Sequence, residues 1–158
     1  MSRERRRELF EVIGLLAVVG SLLFLALEIR HSSTVASAQT INEIYDAVRE
    51  IDLATFADPE LTRITATTTA GLSDLNDSER RQYEQYVILM IEVWDRAIER
   101  ENEGLIVSSS FATWHDYYES FIERHVTREM WEEIRWNWGN KELNERVDAV
   151  FANQGALN

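Results

Sequence analysis

The sequence predicts an all-α protein: an N-terminal transmembrane helix that continues into an amphipathic stalk and carries a small bundle of about five further helices. Three observations predict it. Gly (6) and Pro (1) are scarce among the 158 residues, which leaves few positions for turns and favours a few long helices. Residues 9–29 contain only two charges, Glu11 and Glu28, one near each end. Beyond them, apolar residues recur at helical spacing, and no segment reads convincingly as a strand.

The 21 residues from Leu9 to Ile29 span about 31 Å as a helix, against a hydrocarbon core of about 30 Å. Arg3, Arg5, Arg6 and Arg7 precede this segment, and only Arg30 follows it before Arg49. The positive-inside rule then leaves residues 1–8 as a cytoplasmic stub and places the rest, in a bacterial inner membrane, in the periplasm. Ala36-Ser37-Ala38 has the small-x-small pattern of a signal-peptide cleavage site, but Glu28, Arg30 and His31 separate it from the apolar run, unlike a processed leader. A buried helix of a soluble oligomer is a third reading.

Gly14, Ala17 and Ser21 fall on one face of this helix, and small residues there let a second backbone approach closely. The face continues through Phe24, Glu28, His31 and Val35. Gly14, Ala17, Ser21 and Glu28 are therefore the candidate association face, for a homo-oligomer or for a membrane-protein partner. A symmetric assembly on it would bring Glu28 carboxylates together near the membrane edge, as a cation-attracting pore mouth requires.

From residue 30 to 57 nothing breaks a helix, and Ile41, Ile44, Val48 and Ile51 form one apolar stripe, so the stalk is assigned to 30–57. The acidic helical domain is 58–158. Asp58-Pro59-Glu60 is a helix start: a capping side chain, a proline suited to the first turn, and an acid at the positive dipole end. That helix is expected to run to about Ala70, with Gly71 ending it. Asn76 with Glu79 reads as a capping box opening a helix to Glu103, closed by Gly104. Its middle, Tyr86 to Ile91, is apolar around most of its circumference, as in a helix at the centre of the bundle or, alternatively, one that supplies a partner-binding face.

After Leu105-Ile106-Val107, a serine run can cap a helix bearing Phe111, Trp114, Tyr118, Phe121 and Ile122 on one face. Thr127 caps the next, with Met130, Trp131 and Ile134 inward and Gly139 closing it. Asn140 opens the last, with Leu143, Val147, Val150 and Phe151. In Arg135-Trp136-Asn137-Trp138 the alternation prevents both tryptophans from sharing a helical face with Trp131, so at least one is expected to be exposed.

Charge and composition exclude several functions. Residues 31–158 hold eleven Lys and Arg against twenty-four Asp and Glu, a net charge of −13, and such a surface repels nucleic-acid phosphates. No cysteine is present, which removes disulfides, thiolate metal sites and cysteine nucleophiles. No catalytic fingerprint is found, and glycine is too scarce for a phosphate loop or dinucleotide motif. Glu28 and His31 match the Glu-x-x-His spacing of di-iron bundles, but that site needs a second such pair and further inward glutamates.

Trp114, His115, Tyr117 and Glu119 form the candidate ligand-binding group, because aromatic mass and titratable groups coincide there. His115 and Glu119 stand four apart and are expected to pair on a helix surface. Metal or acid-base chemistry would have to be built from His31, His115, His125 and the carboxylates, and His115, Glu119 and His125 are a set of two histidines and a carboxylate that can hold a zinc or iron ion. No metal or cofactor is assigned.

Several short segments, Leu27-Glu28-Ile29-Arg30-His31-Ser32, Ala38-Gln39, Asp58-Pro59-Glu60-Leu61, Glu103-Gly104-Leu105 and the tail from Trp131 to Val147, resemble those of an uncharacterised family of short bacterial membrane-anchored proteins. The sequence departs from that family at Glu28 and Ser32, where Gln and Asn are frequent, and at Val126-Thr127-Arg128, where Pro-Gly-Phe is frequent. The resemblance implies the same single-pass helical architecture and carries no site. The expected function is that of a membrane-anchored, non-enzymatic helical protein acting through self-association or a membrane partner. The alternative is a periplasmic sensor module for a small ligand or metal.

Overall fold

The computed structural model describes residues 3–66, 69–106 and 108–156, with side chains described over 13–66, 72–106 and 112–155. Among these residues the chain is all helical, with no strand. Helix α1 (Arg3–Ala57) is one unbroken helix of 55 residues. The chain divides into two units, Met1–Gln39 and Thr40–Asn158.

In the first unit every described side chain from Ile13 to Val35 is exposed. Leu16, Leu22, Phe24 and Leu27 are 60–70% exposed. The segment is long and apolar enough to cross a membrane. Ser21 returns its hydroxyl hydrogen to the Ala17 carbonyl over 2.8 Å, which satisfies the one polar side chain in the middle of the run.

The second unit begins inside α1. Here Ile44 is buried and Ile41, Ala47, Val48 and Ile51 pack against the same core, so the amphipathic stripe read from the sequence makes residues 40–57 the first helix of the bundle. Helix α2 (Pro59–Thr65) starts as its sequence requires: Asp58 Oδ1 accepts from the Glu60 and Leu61 amides at 2.9 and 3.3 Å. It ends at Thr65 rather than near Ala70. Thr65 turns its hydroxyl back onto the Leu61 carbonyl at 2.9 Å, and such β-branched, back-bonding residues are poor helix propagators. A 3-10 segment, Thr69–Asp74, follows, and Gly71 lies within it.

Helix α3 (Asp77–Asn102) is the central helix. The capping box is complete: Asn76 Oδ1 accepts from the Ser78 and Glu79 amides at 2.9 and 3.1 Å, and Glu79 accepts from the Asn76 amide at 2.7 Å. Tyr83, Val87, Met90, Ile91, Trp94, Ala97 and Ile98 recur at three- and four-residue spacing and are fully buried. The helix packs against α2, α4 (Ser108–His125) and α6 (Lys141–Ala156). It ends at Asn102 with Glu103 as its C-cap, and the next residue, Gly104, has a φ of +73° that favours a residue without a Cβ. The Phe111 side chain and Val107, both named from the sequence, lie outside the described residues, as do the side chains of the serine run.

Helix α5 (Arg128–Ile134) is capped by Thr127, which accepts from the Met130 amide at 3.1 Å. It does not continue to Gly139. A 3-10 turn over Arg135–Asn137 changes the angular step, and this brings Trp138 back over Trp131, ring centroids 5.9 Å apart and nearly parallel at 18°. Trp138 is therefore buried while Trp136 is 78% exposed. Asn140 caps α6 through the Glu142 and Leu143 amides at 3.0 and 3.4 Å.

Candidate functional site

The four residues named from the sequence are all on α4, whose 100° step puts Trp114 and Tyr117 on one face and His115 and Glu119 on another, and the last two then reach different neighbours. Trp114 and Tyr117, three apart, face α1. They line an open groove of about 520 Å³ together with Thr113 and, from α1, Tyr45, Val48 and Asp52. His115 turns the other way, into the interface with α3, and is 8% exposed. Glu119 lines a separate cavity with Glu142, Glu145 and Arg146 of α6.

His115 does not pair with Glu119, contrary to expectation. Its Nδ1 accepts the Trp94 indole N–H at 3.1 Å, and its Nε2 lies 2.9 Å from Glu101. Burial decides this, because α3 offers a donor and an acceptor on opposite edges of the ring, and both would be left unpaired if His115 swung outward. Glu119 instead lies 3.9 Å from Arg146. His125 sits apart from both, its Nδ1 3.2 Å from the Tyr83 hydroxyl, which donates to the His125 carbonyl at 2.9 Å. The three do not converge, and among the described residues no group of three or more His, Asp or Glu is arranged to hold a metal ion.

The groove is built on an aromatic column. Trp94 and Tyr118 stack at 5.3 Å and 4°, and Tyr118 stacks on Trp114 at 6.0 Å and 28°. Tyr45 and Tyr117 then stand across the Trp114 plane at 69° and 74°, with centroids 4.7 and 6.1 Å away. Burial pushes the Asp52 carboxyl above its ordinary range. Burial, and then the Asp52 charge, pushes the Tyr117 phenol up, while Arg124 acts in the opposite direction. Tyr86 is pushed up to about 12, chiefly by burial and then by Tyr117 and Asp52.

Tyr45 and Asp52 escape a reading of the sequence. They are seven residues apart on the flank of α1 beside its apolar stripe, where a tyrosine and an aspartate look like solvated positions. Only the docking of α4 makes that flank a wall. The association-face residues lie in the first unit: Gly14, Ala17, Ser21 and Glu28 are all exposed, and a Cβ added at Gly14 would meet nothing within 4 Å.

No family model, curated protein or solved structure matches the chain.

Proposed function

We propose that this chain is a single-pass membrane-anchored, non-enzymatic protein whose helical domain works by association, with itself or with a membrane partner. The observation that carries this reading is the uncovered apolar surface from Ile13 to Ile29, all of it exposed. Surface of that extent requires lipid or another helix as its cover. The face of Gly14, Ala17 and Ser21 offers the close approach that a second helix uses. The arginines at positions 3–7 favour a cytoplasmic N-terminus and a periplasmic bundle in a bacterial inner membrane. The resemblance to the short membrane-anchored bacterial family points the same way.

The test is the mass of the full-length protein in a mild detergent, beside the Gly14→Leu/Ala17→Leu double variant. A defined oligomer that the variant reduces to a monomer supports the reading. A strictly monomeric wild type removes self-association and leaves a different membrane partner.

A second reading, a small-ligand binding module, is favoured by the groove at Tyr45, Trp114 and Tyr117. Its walls are open to solvent, whereas the core beneath them is tightly stacked.

A further inference from the structure

The groove between α1 and α4 sets a carboxylate among aromatic rings. Tyr45 and Tyr117 are 53% and 42% exposed, and both bracket Trp114, whose plane is held by the stack on Tyr118 and Trp94. The face of an aromatic ring carries partial negative charge, and Tyr45, Trp114 and Tyr117 all line this groove, so a cation brought into it meets several rings. Asp52 lines the same volume, and among the described residues its carboxylate makes no hydrogen bond or ion pair. Arg124, the cation that acts on Tyr117, is held by its own helix, Nε donating to the Ser120 carbonyl at 3.0 Å.

The geometry points to a binding site for a small alkylated ammonium ion, its methyl or methylene groups against Tyr45, Trp114 and Tyr117 and its charge balanced by Asp52. This rests on the second reading above, that the groove is a ligand site, and adds the class of ligand. A metal ion does not suit it: a hard divalent cation takes six or more oxygen ligands, and the groove offers one carboxylate among aromatic rings. An anion would meet both Asp52 and the net charge of −13 carried by residues 31–158. A neutral apolar ligand would leave the Asp52 carboxylate uncompensated in a partly desolvated wall. An alkylammonium ion matches all three features, since its charge is spread over an apolar surface and it sheds water readily for ring faces.

The experiment is a titration of the full-length protein, in a maltoside detergent at fixed ionic strength, with choline chloride, with tetramethylammonium chloride and with the uncharged choline isostere 3,3-dimethylbutan-1-ol. Binding is followed by calorimetry and by tryptophan fluorescence, in the wild type and in Asp52→Asn and Tyr45→Leu. Both variants change exposed or half-exposed positions on one helix face, and circular dichroism checks that each stays folded. Saturable choline binding is expected, with the isostere weaker by about tenfold or more and each variant weaker by about five- to tenfold. Equal binding of the isostere would overturn the ammonium assignment and leave the groove as an apolar site. Failure of choline, tetramethylammonium and the isostere alike would overturn both the assignment and the reading beneath it. Undiminished choline binding in both variants would place the site elsewhere and overturn the proposal.

Discussion

Trp94 donates its indole N–H to Nδ1 of His115 across 3.1 Å in the interior of the bundle. While Nδ1 accepts, the ring carries its hydrogen on Nε2, which faces Glu101 at 2.9 Å. The imidazole thus relays a hydrogen-bond chain from a buried donor on α3 to a carboxylate near the end of the same helix. The relay ties α4 to α3 at two points. His115→Ala is expected to strip both partners at once and to leave the Trp94 N–H without an acceptor in a closed space. The cost is about 2–4 kcal/mol, combining an unsatisfied buried donor with a small cavity. Urea unfolding of the detergent-solubilised protein followed by tryptophan fluorescence measures it; a loss below about 0.5 kcal/mol would mean that water or another side chain satisfies Trp94.

Asp148 performs a related task on α6. Its Oδ1 accepts from the buried Trp131 indole at 3.0 Å, while Arg135 reaches its two oxygens at 3.4 and 3.2 Å. The Arg135 and Asp148 side chains are 33% and 44% exposed, so their ion pair is screened and contributes little. The indole bond dominates, because Trp131 is 0% exposed and has no water to turn to. Asp148→Ala is therefore expected to cost about 1–3 kcal/mol, whereas Asp148→Asn, which keeps a carbonyl acceptor, costs well under half of that. Equal losses in the two variants would show that charge rather than the acceptor matters.

His125 sets a pH dependence. Burial is the main cause that holds its pKa below the ordinary histidine value, with Arg124 adding to it. Protonation is then harder in the folded than in the unfolded chain, so the unfolded state binds more protons and stability rises with pH. Lowering the pH from about 8 to about 6 is expected to reduce the unfolding midpoint, beginning near the unfolded pKa of about 6.5. Asp52 and Asp95 are held above their ordinary values, both by burial first. Their contribution has the opposite sign, being present at low pH and lost as pH rises through the folded pKa, and it belongs to the more acidic carboxylate range. Thermal melts across the window, in the wild type and in His125→Asn, test this: the slope should flatten in the variant, and an unchanged slope would move its origin to another group.

The parts of this fold that are written locally are legible in the sequence itself. Asp58, Asn76, Thr127 and Asn140 each cap a helix because a short side chain meets free amides two or three residues on, and such bonds need nothing from elsewhere in the chain. The interior of α3 is legible in part: the apolar run Tyr86 to Ile91 marks it as central, but within that run Val87, Met90 and Ile91 are buried while Leu89 is 40% exposed. The helix ends that depart from expectation do so where competing local bonds act, at Thr65 and at the 3-10 turn after Ile134. The site is only half legible. Trp114 and Tyr117 stand out as aromatic mass, but which neighbours they and His115 meet depends on which helices dock on α4. Tyr45, Asp52, Glu101 and Trp94 are contributed by other helices, far off in sequence, and no periodicity in α4 records them.

The capping box at the head of α3 gives a local prediction. Asn76 satisfies two amides and Glu79 returns a bond to the Asn76 amide, while Arg63 of α2 binds Glu79. Asn76→Ala removes the cap and is expected to cost about 1 kcal/mol, whereas Asn76→Asp is expected to be nearly neutral, since aspartate caps equally well and adds favourable charge at the dipole's positive end. Urea midpoints separate the two; matching losses would show that the cap contributes less than the pairing of α2 with α3.

The proposed membrane segment can be tested by arithmetic on its own residues. Twelve of the residues from Val12 to Ile29 are Leu, Ile, Val or Phe, and at about −0.3 to −0.6 kcal/mol each near the helix centre they favour insertion by about 4–7 kcal/mol. An arginine at the centre costs about 2.5–3.5 kcal/mol, so one is tolerated and two are not. Val18→Arg/Leu22→Arg is accordingly expected to release most of the protein from carbonate-washed membranes, while Leu22→Arg alone leaves most of it there and Leu22→Ala changes nothing. Val18 and Leu22 are both exposed, at 58% and 60%, and both precede the unit that begins at Thr40, so the bundle's unfolding midpoint should stay at the wild-type value in all three. A double arginine variant that stays in the membrane fraction would mean that the helix is held there by a protein partner rather than by lipid. Loss of the bundle's stability in that variant would mean that the apolar run is covered by the protein itself.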